Sequence, residues 1–444
     1  MAGKKKGLIL FFTIVTIVTS VNSENLNSVL KDAYNYYPDI KKSKIDLQNK
    51  NRDLSISKTD FLPSIDLSVT QGKSITKSFP DTSNYGDNAL NPSTIDVDIS
   101  QPLGASKYLN YKQAKNNLFA GEFGDKSIIQ NILYRASKAY YTLLKDSFLL
   151  DVSIKNENNL RLKLDATEKR FNFRDVTKTD VFQAKARFAD ATSKRIEAEN
   201  NLEISISEFK AIVGRDPDLN WYSNKDKLIT ESNPIDWNKF GELPKTPSSL
   251  ESAVNMALDN NPELNKLKYE LDNSKISIKK KTLNFFPELS ISGSYGKSIE
   301  SARTIDRKDS YEITANMSVP LFNKGHNFYN LEKSKDSAIS IAKSLESKKI
   351  NLKHEVQSSW KKIQSLKSSI DALKLSVESN EVALDGVSKE AGVGSRTTLN
   401  ILDAEKELTQ AEASLVNARY QLINSSFELL RSCGLLNFSY LEIN

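Results

Sequence analysis

The sequence is poor in everything that cross-links or punctuates a chain. Among its 444 residues there is one cysteine, Cys433, so neither an intramolecular disulfide nor a paired-cysteine metal site can form. Only 12 prolines and 16 glycines occur, too few turn residues for an all-β fold; long helices interrupted by a few strands are expected instead. Hydrophobic residues make up 39% and mean hydropathy is −0.47, which excludes a polytopic helical membrane protein. The net charge of +6 is a small, scattered surplus and calls for no nucleic-acid partner. The two histidines, His326 and His354, have no third ligand nearby that would make a metal site. GxSxG, HExxH and phosphate-binding glycine loops are all missing, so no enzyme and no cofactor is expected.

The first thing present is an address. Lys4, Lys5 and Lys6 precede an apolar run from Leu8 to Val18, broken only by Thr13 and Thr16, with Val21 and Ser23 placed like a cleavage site. Residues 1–23 read as a Sec-type signal peptide, since the run is too short for a membrane span. Its removal takes three lysines and no acids, which lowers the net charge from +6 to +3. No cysteine lies near residue 23 to carry a lipid.

The length allows two or three ordinary domains of ~150 residues, but the chain is written twice. Leu26, Ala33, Pro38, Phe61, Pro63 and Gly72 recur as Leu250, Ala257, Pro262, Phe285, Pro287 and Gly296, each 224 positions on. Ala184, Ala191, Ala198, Ser205 and Gly214 recur as Ala404, Ala411, Ala418, Ser425 and Gly434 at offset 220. The expected organisation is a first repeat over 24–214, an irregular connection over 215–248 with four prolines, a second repeat over 249–434 and a tail over 435–444. Each repeat reads helix, strand, strand, long helix, turn, helix, and neither half is expected to have a globular core of its own.

Strands are predicted at 64–73, 94–103, 287–297 and 310–321 from clean period-2 alternation. Ile65, Leu67 and Val69 alternate with Asp66, Ser68 and Thr70; Tyr311, Ile313 and Ala315 alternate with Glu312, Thr314 and Asn316. One such strand suggests a half-buried sheet. Four of about ten residues, in an exported chain, fit a transmembrane barrel with lipid outside and water inside. Four strands cannot close a barrel, and open edges are not tolerated in lipid, so several chains must pool their strands. Two chains would give eight strands and a plugged interior; three would give twelve and room for a channel.

The proline-free stretches ~104–172 and ~325–390 allow helices of roughly 100 Å at ~1.5 Å per residue. Val356, Ile363, Ile370, Val377 and Leu384 lie seven apart, as do Leu408, Leu415, Leu422 and Leu429 beside a seam of small residues. That period implies left-handed supercoiling.

At this point the residues resemble the TolC family of outer-membrane efflux channels, over essentially the whole mature chain. The resemblance rests on Ala391-Gly392-Val393-Gly394-Ser395-Arg396-Thr397-Thr398-Leu399-Asn400-Ile401-Leu402-Asp403-Ala404, on Arg170-Phe171-Asn172 with Thr179-Asp180-Val181, and on Val319-Pro320-Leu321-Phe322. It implies a homotrimer in the outer membrane of a Gram-negative bacterium. A twelve-stranded barrel would continue into a periplasmic α-helical tunnel. The trimer would act as the passive duct of a tripartite efflux or type I secretion system, with a periplasmic adaptor protein and an inner-membrane pump or transporter as partners. A purely structural periplasmic coiled coil, or an adaptor without a pore, is the alternative; it would have no use for four lipid-patterned strands.

By the resemblance, function concentrates at the turns around 171–180 and 391–403. Thr179 and Asp180 are the expected partners of Arg396 in a gate latch, against the plainer reading of solvated charges at a helix turn. Asp403 matches one acidic position of the family's constriction ring, where three copies would make a carboxylate ring that favours cations. Asn400 stands at the other, predicting weaker cation block. Arg174, Lys178 and Gly394 are candidate adaptor contacts. Because Arg174 stands where Gly394 stands in the second copy, the two turns are expected to differ in backbone geometry.

Overall fold

The computed structural model describes residues 25–76, 88–218, 243–302 and 305–441. The 1–23 segment, Trp221, Pro234 and Trp237 lie outside the described residues.

Each repeat opens with two helices where the sequence reading expected one: α1 (Leu26–Tyr36) and α2 (Pro38–Thr59), then α5 (Leu250–Asn260) and α6 (Pro262–Leu283). The break is set by proline. Its ring pushes the preceding residue, Tyr37 or Asn261, into extended backbone and pre-forms the first turn of the next helix. Asn261 also caps that helix, accepting from the Leu264 amide at 3.1 Å.

Between the short helices and the long ones run β1 (Ser64–Gln71) and β4 (Ser93–Leu103) in the first repeat and β5 (Glu288–Ala302) and β6 (Ile305–Ser318) in the second. They form one antiparallel sheet in the order β1-β4-β5-β6. A small hairpin of β2 (Ser74–Thr76) and β3 (Asn88–Leu90), which alternation did not foretell, stands beside it. The pairs Lys297–Asp309, Ser298–Lys308 and Ile299–Arg307 carry β5 and β6 beyond the alternating residues, where charged side chains hide the period. At its other end β6 stops at Ser318, two residues before Pro320, which has no amide to donate to a ladder.

The register sorts the sheet into two faces. Ile65, Ile99, Gly293 and Ile313 form one row, and Leu67, Val97, Tyr295 and Tyr311 the next. On the opposite face stand Ser64, Ser100, Ser292 and Thr314, then Asp66, Asp98, Ser294 and Glu312. The apolar face is uncovered: Ile65 is 68% exposed and Ile313 87%.

The long helices are α3 (Ala105–Asn172, 68 residues) and α7 (His326–Gly392, 67 residues), each ~100 Å at ~1.5 Å per residue. Each folds back on a partner, α4 (Lys178–Val213) or α8 (Thr398–Ser432), to make a hairpin. Contacts order the helices α2-α3-α6-α7 next to the sheet and α4-α3-α8-α7 toward the turns. Among the described residues no helix is long and apolar enough to cross a membrane.

The heptad positions Val356, Ile363, Ile370, Leu415, Leu422 and Leu429 are buried, while Val377 and Leu384 nearer the turn are half-buried. In the first hairpin the small residues Ala184, Ala191, Ala198 and Ser205 are buried and let α3 and α4 approach closely. The larger apolar cluster draws on both halves of the chain. Where α1, the middle of α3 and the ends of α4 and α8 meet, Leu30, Leu133, Phe209 and Phe427 join one apolar cluster; Ala253, Leu264, Val356 and Leu429 join another. Trp360 packs against the second. Cys433 is buried with its Sγ 3.4 Å from the Ala253 carbonyl, and burial pushes its thiol up to about 12. Gly434, in left-handed backbone at φ 74°, ends this region; a Cβ there would meet the Asn260 carbonyl oxygen at 2.4 Å.

Candidate functional site at the hairpin turns

The turn joining α3 to α4 and the turn joining α7 to α8 have one geometry, contrary to the expectation drawn from Arg174. Arg174 takes the left-handed conformation at φ 60°, as Gly394 does at φ 81°. In the first turn the Arg174 amide donates to the Phe171 carbonyl at 2.8 Å and the Asp175 amide to the Arg170 carbonyl at 3.0 Å. In the second, Gly394 donates to Ala391 at 3.2 Å and Ser395 to Glu390 at 3.0 Å. These bonds satisfy the last carbonyls of the long helices, and that gain offsets the strain of a side chain in left-handed backbone.

Both return helices then start with the same cap. Asp180 accepts from the Thr177 amide at 2.8 Å and the Thr177 hydroxyl at 2.7 Å; Asn400 accepts from the Thr397 amide at 3.1 Å and hydroxyl at 2.7 Å. Hydrogen bonds from the Thr177 hydroxyl and amide, with a smaller pull from Arg170, hold the Asp180 carboxyl below the usual aspartate range. Asp180 and Asn400 are thus equivalent capping residues.

Within one chain the structure does not bring Arg396 to Thr179 or Asp180. Its Nε donates to Glu390 Oε2 at 2.8 Å, and in the first turn Arg170 Nε donates to Asp175 Oδ2 at 2.7 Å. Thr179 is exposed, and Lys178 lies over the Phe182 ring at 5.6 Å from its centroid. At the tip Phe173 and Val393, in equivalent positions, are 85% and 83% exposed.

The Asp403 carboxylate accepts from Arg187 Nη2 of α4 at 2.9 Å. That ion pair is the last rung of a polar seam between the two hairpins. Above it, Glu405 pairs with Asn159, Thr409 with Asn156 at 3.3 Å, Tyr420 with Thr142 at 3.1 Å and Asn424 with Tyr134 at 3.4 Å. The join between the hairpins thus carries hydrogen bonds beside apolar contacts such as those of Leu402 with Leu160, Ala184 and Ala191. Among the described residues no group of acids, cysteines and histidines is arranged to hold a metal.

Residues 253–435 match the family model described as outer membrane efflux protein, a span that holds the second turn and most of the second repeat. That part of the chain is similar to outer membrane efflux proteins. It is 23% identical over 392 residues to the outer membrane efflux protein BepC of Brucella suis, covering 87% of this chain and 80% of that one. It is 23% identical to the alkaline protease secretion protein AprF of Pseudomonas aeruginosa, covering 70% and 63% of the two chains. It is 23% identical to the outer membrane protein TolC of Escherichia coli, covering 87% and 77%. The fold is shared with the crystal structure of the Campylobacter jejuni CmeC outer membrane channel, at a TM-score of 0.79, 17% identity and coverage of 93% and 86%. It is likewise shared with CusC, at a TM-score of 0.80, 15% identity and coverage of 93% and 92%.

Sequence reasoning named the residues of the motif but missed the partners that the fold supplies. Arg187 lies outside any motif, and its pairing with Asp403 joins residues 216 positions apart. Glu390 precedes the signature and looks like any helix-surface acid. Phe173 belongs to none of the sequence motifs.

Proposed function

We propose that this chain is the outer-membrane channel of a tripartite efflux or type I secretion system, a passive, non-catalytic exit duct that assembles as a homotrimer. The observation that carries this reading is the four-stranded sheet with β1 and β6 as its edges and one apolar face uncovered. Lipid tolerates such a face but not the open edges, so the β6 edge of one copy must pair with the β1 edge of the next. Three copies give twelve strands and a water-filled interior lined by the face that carries Asp66, Asp98 and Glu312.

The helices support the same join. Ile45 and Ile56 on α2 and Phe182, Ile196 and Ile204 on α4 are exposed along one flank; Ile339, Ile350, Leu375 and Val382 on α7 are exposed along the other. Side-by-side copies would bury these stripes against each other and close a tube through the periplasm. The relatives include outer membrane proteins and a protease secretion protein, in keeping with a location in the outer membrane of a Gram-negative cell.

In this reading the turns form the periplasmic mouth. Arg396 of one copy would reach Thr179 and Asp180 of the next as a latch, and Asp403 with Asn400 would surround the constriction. Arg174, Lys178 and Gly394, with exposed Phe173 and Val393 between them, would meet the periplasmic adaptor, and an inner-membrane pump or transporter would supply the cargo. Fractionation and native mass measurement test the proposal. Recovery in the outer membrane as a three-chain particle that conducts ions in planar bilayers is expected. Recovery as a soluble periplasmic monomer would overturn it in favour of a structural coiled coil.

A further inference from the structure

We propose that Arg187 is a charge-selectivity residue of the duct, placing a fixed cation against each Asp403 so that the constriction presents balanced pairs and not a ring of bare carboxylates. This rests on the channel reading above.

The geometry is direct: Arg187 Nη2 donates to Asp403 Oδ1 at 2.9 Å, from α4 across to α8. Both side chains keep contact with water, at 35% and 53% exposure, so both charges act on ions in the adjoining solvent. Three neighbouring polar groups already have partners of their own. Asp190, three residues on along α4, is bridged by Lys194 at 3.1 Å. Asp180 is held by Thr177, and Asn400 is neutral and held by Thr397. The cleft of about 420 Å³ between α3, α4 and α8 is lined by Asp146, Asp190 and Glu197 against Arg187, Lys194 and Lys406, so no surplus of acid gathers on that side.

The inference does not need a strong ion pair. Half-exposed pairs hold little stability, but opposite charges a few ångströms apart largely offset each other for an ion farther off than their separation, and both are felt within a Debye length of about 8–10 Å. Removing the guanidinium uncovers one negative charge per chain. A unit charge roughly 7 Å from an ion in water changes its occupancy about threefold.

The test is reversal potential in a KCl gradient, with Mg²⁺ block as a second reading, on the full-length channel in planar bilayers. Arg187→Gln is expected to raise the K⁺/Cl⁻ permeability ratio about threefold and to lower the Mg²⁺ concentration that half-blocks. Asp403→Asn is expected to move the ratio toward anions by a similar factor. Arg187→Lys keeps the charge and is expected to keep the wild-type ratio. An unchanged ratio in a conducting Arg187→Gln channel would overturn the proposal alone, as would Arg187→Lys behaving like Arg187→Gln. A wild-type protein that never conducts would instead overturn the channel reading, and this proposal with it.

Discussion

Arg174 and Gly394 occupy the same left-handed step of two turns 220 positions apart, at φ 60° and φ 81°. The donors on either side of them are the same: the residue itself bonds three back, and the next residue bonds five back. The shared geometry is what the duplication expected from the sequence would give. An arginine survives in a glycine conformation because the surrounding hydrogen bonds fix the turn whichever residue sits there.

That arrangement predicts which turn is strained. A left-handed side chain costs roughly 1–2 kcal/mol relative to glycine. Arg174→Gly is therefore expected to slow hydrogen exchange of the Asp175 amide about fivefold or more, and Gly394→Ala to speed exchange of the Ser395 amide by a similar factor. Equal exchange in wild type and both variants would show that the turns carry no such strain.

The proposed latch predicts conductance. Asp180 is already occupied by Thr177, and Arg396 by Glu390 on its own chain, so a link to the next copy must compete with both. Asp180→Ala and Arg396→Ala are each expected to raise single-channel conductance by loosening the mouth. Glu390→Gln releases Arg396 toward the neighbour and is expected to leave conductance at or below wild type. If neither alanine variant conducts more, the latch lies elsewhere.

Periodicity made much of the fold legible. The alternation of Ile65, Leu67 and Val69 marked a strand because one face is apolar and the other polar, and the heptad from Val356 to Ile370 marked a buried seam. What stayed hidden lacks a local period. The extension of β5 and β6 past Lys297 is held by backbone pairing among charged residues, and β2 and β3 are too short to alternate. The pairing of Arg187 with Asp403 depends on how two hairpins lie together, and no spacing along the chain encodes it.

Glu412 predicts a pH dependence. Burial on α8 raises its carboxyl above the ordinary glutamate value of 4.5; Lys155 opposes the rise, while Glu381 and Glu405 add to it. The folded chain then holds this proton more tightly than the unfolded chain does. Stability from this group is therefore full below pH 4.5 and is lost as pH rises through the folded value. Glu412→Gln is expected to raise the melting temperature at pH 7 and to change it little at pH 4. An equal effect at both pH values would assign the change to packing and not to the proton.

Neighbouring residues of β6 offer the sharpest contrast, because adjacent strand residues face opposite ways. Ile313 continues the uncovered apolar row through Ile65, Ile99 and Gly293, whereas Glu312 shares the polar row of Asp66, Asp98 and Ser294. If the first row meets lipid, a lysine there costs about 2–4 kcal/mol near the membrane midplane. Ile313→Lys is thus expected to cut recovery of the assembled protein from the outer membrane severalfold. Glu312→Lys is expected to assemble normally, since its row faces water. Equal recovery of the two variants would mean that the rows do not separate lipid from water, and the barrel would have to be abandoned.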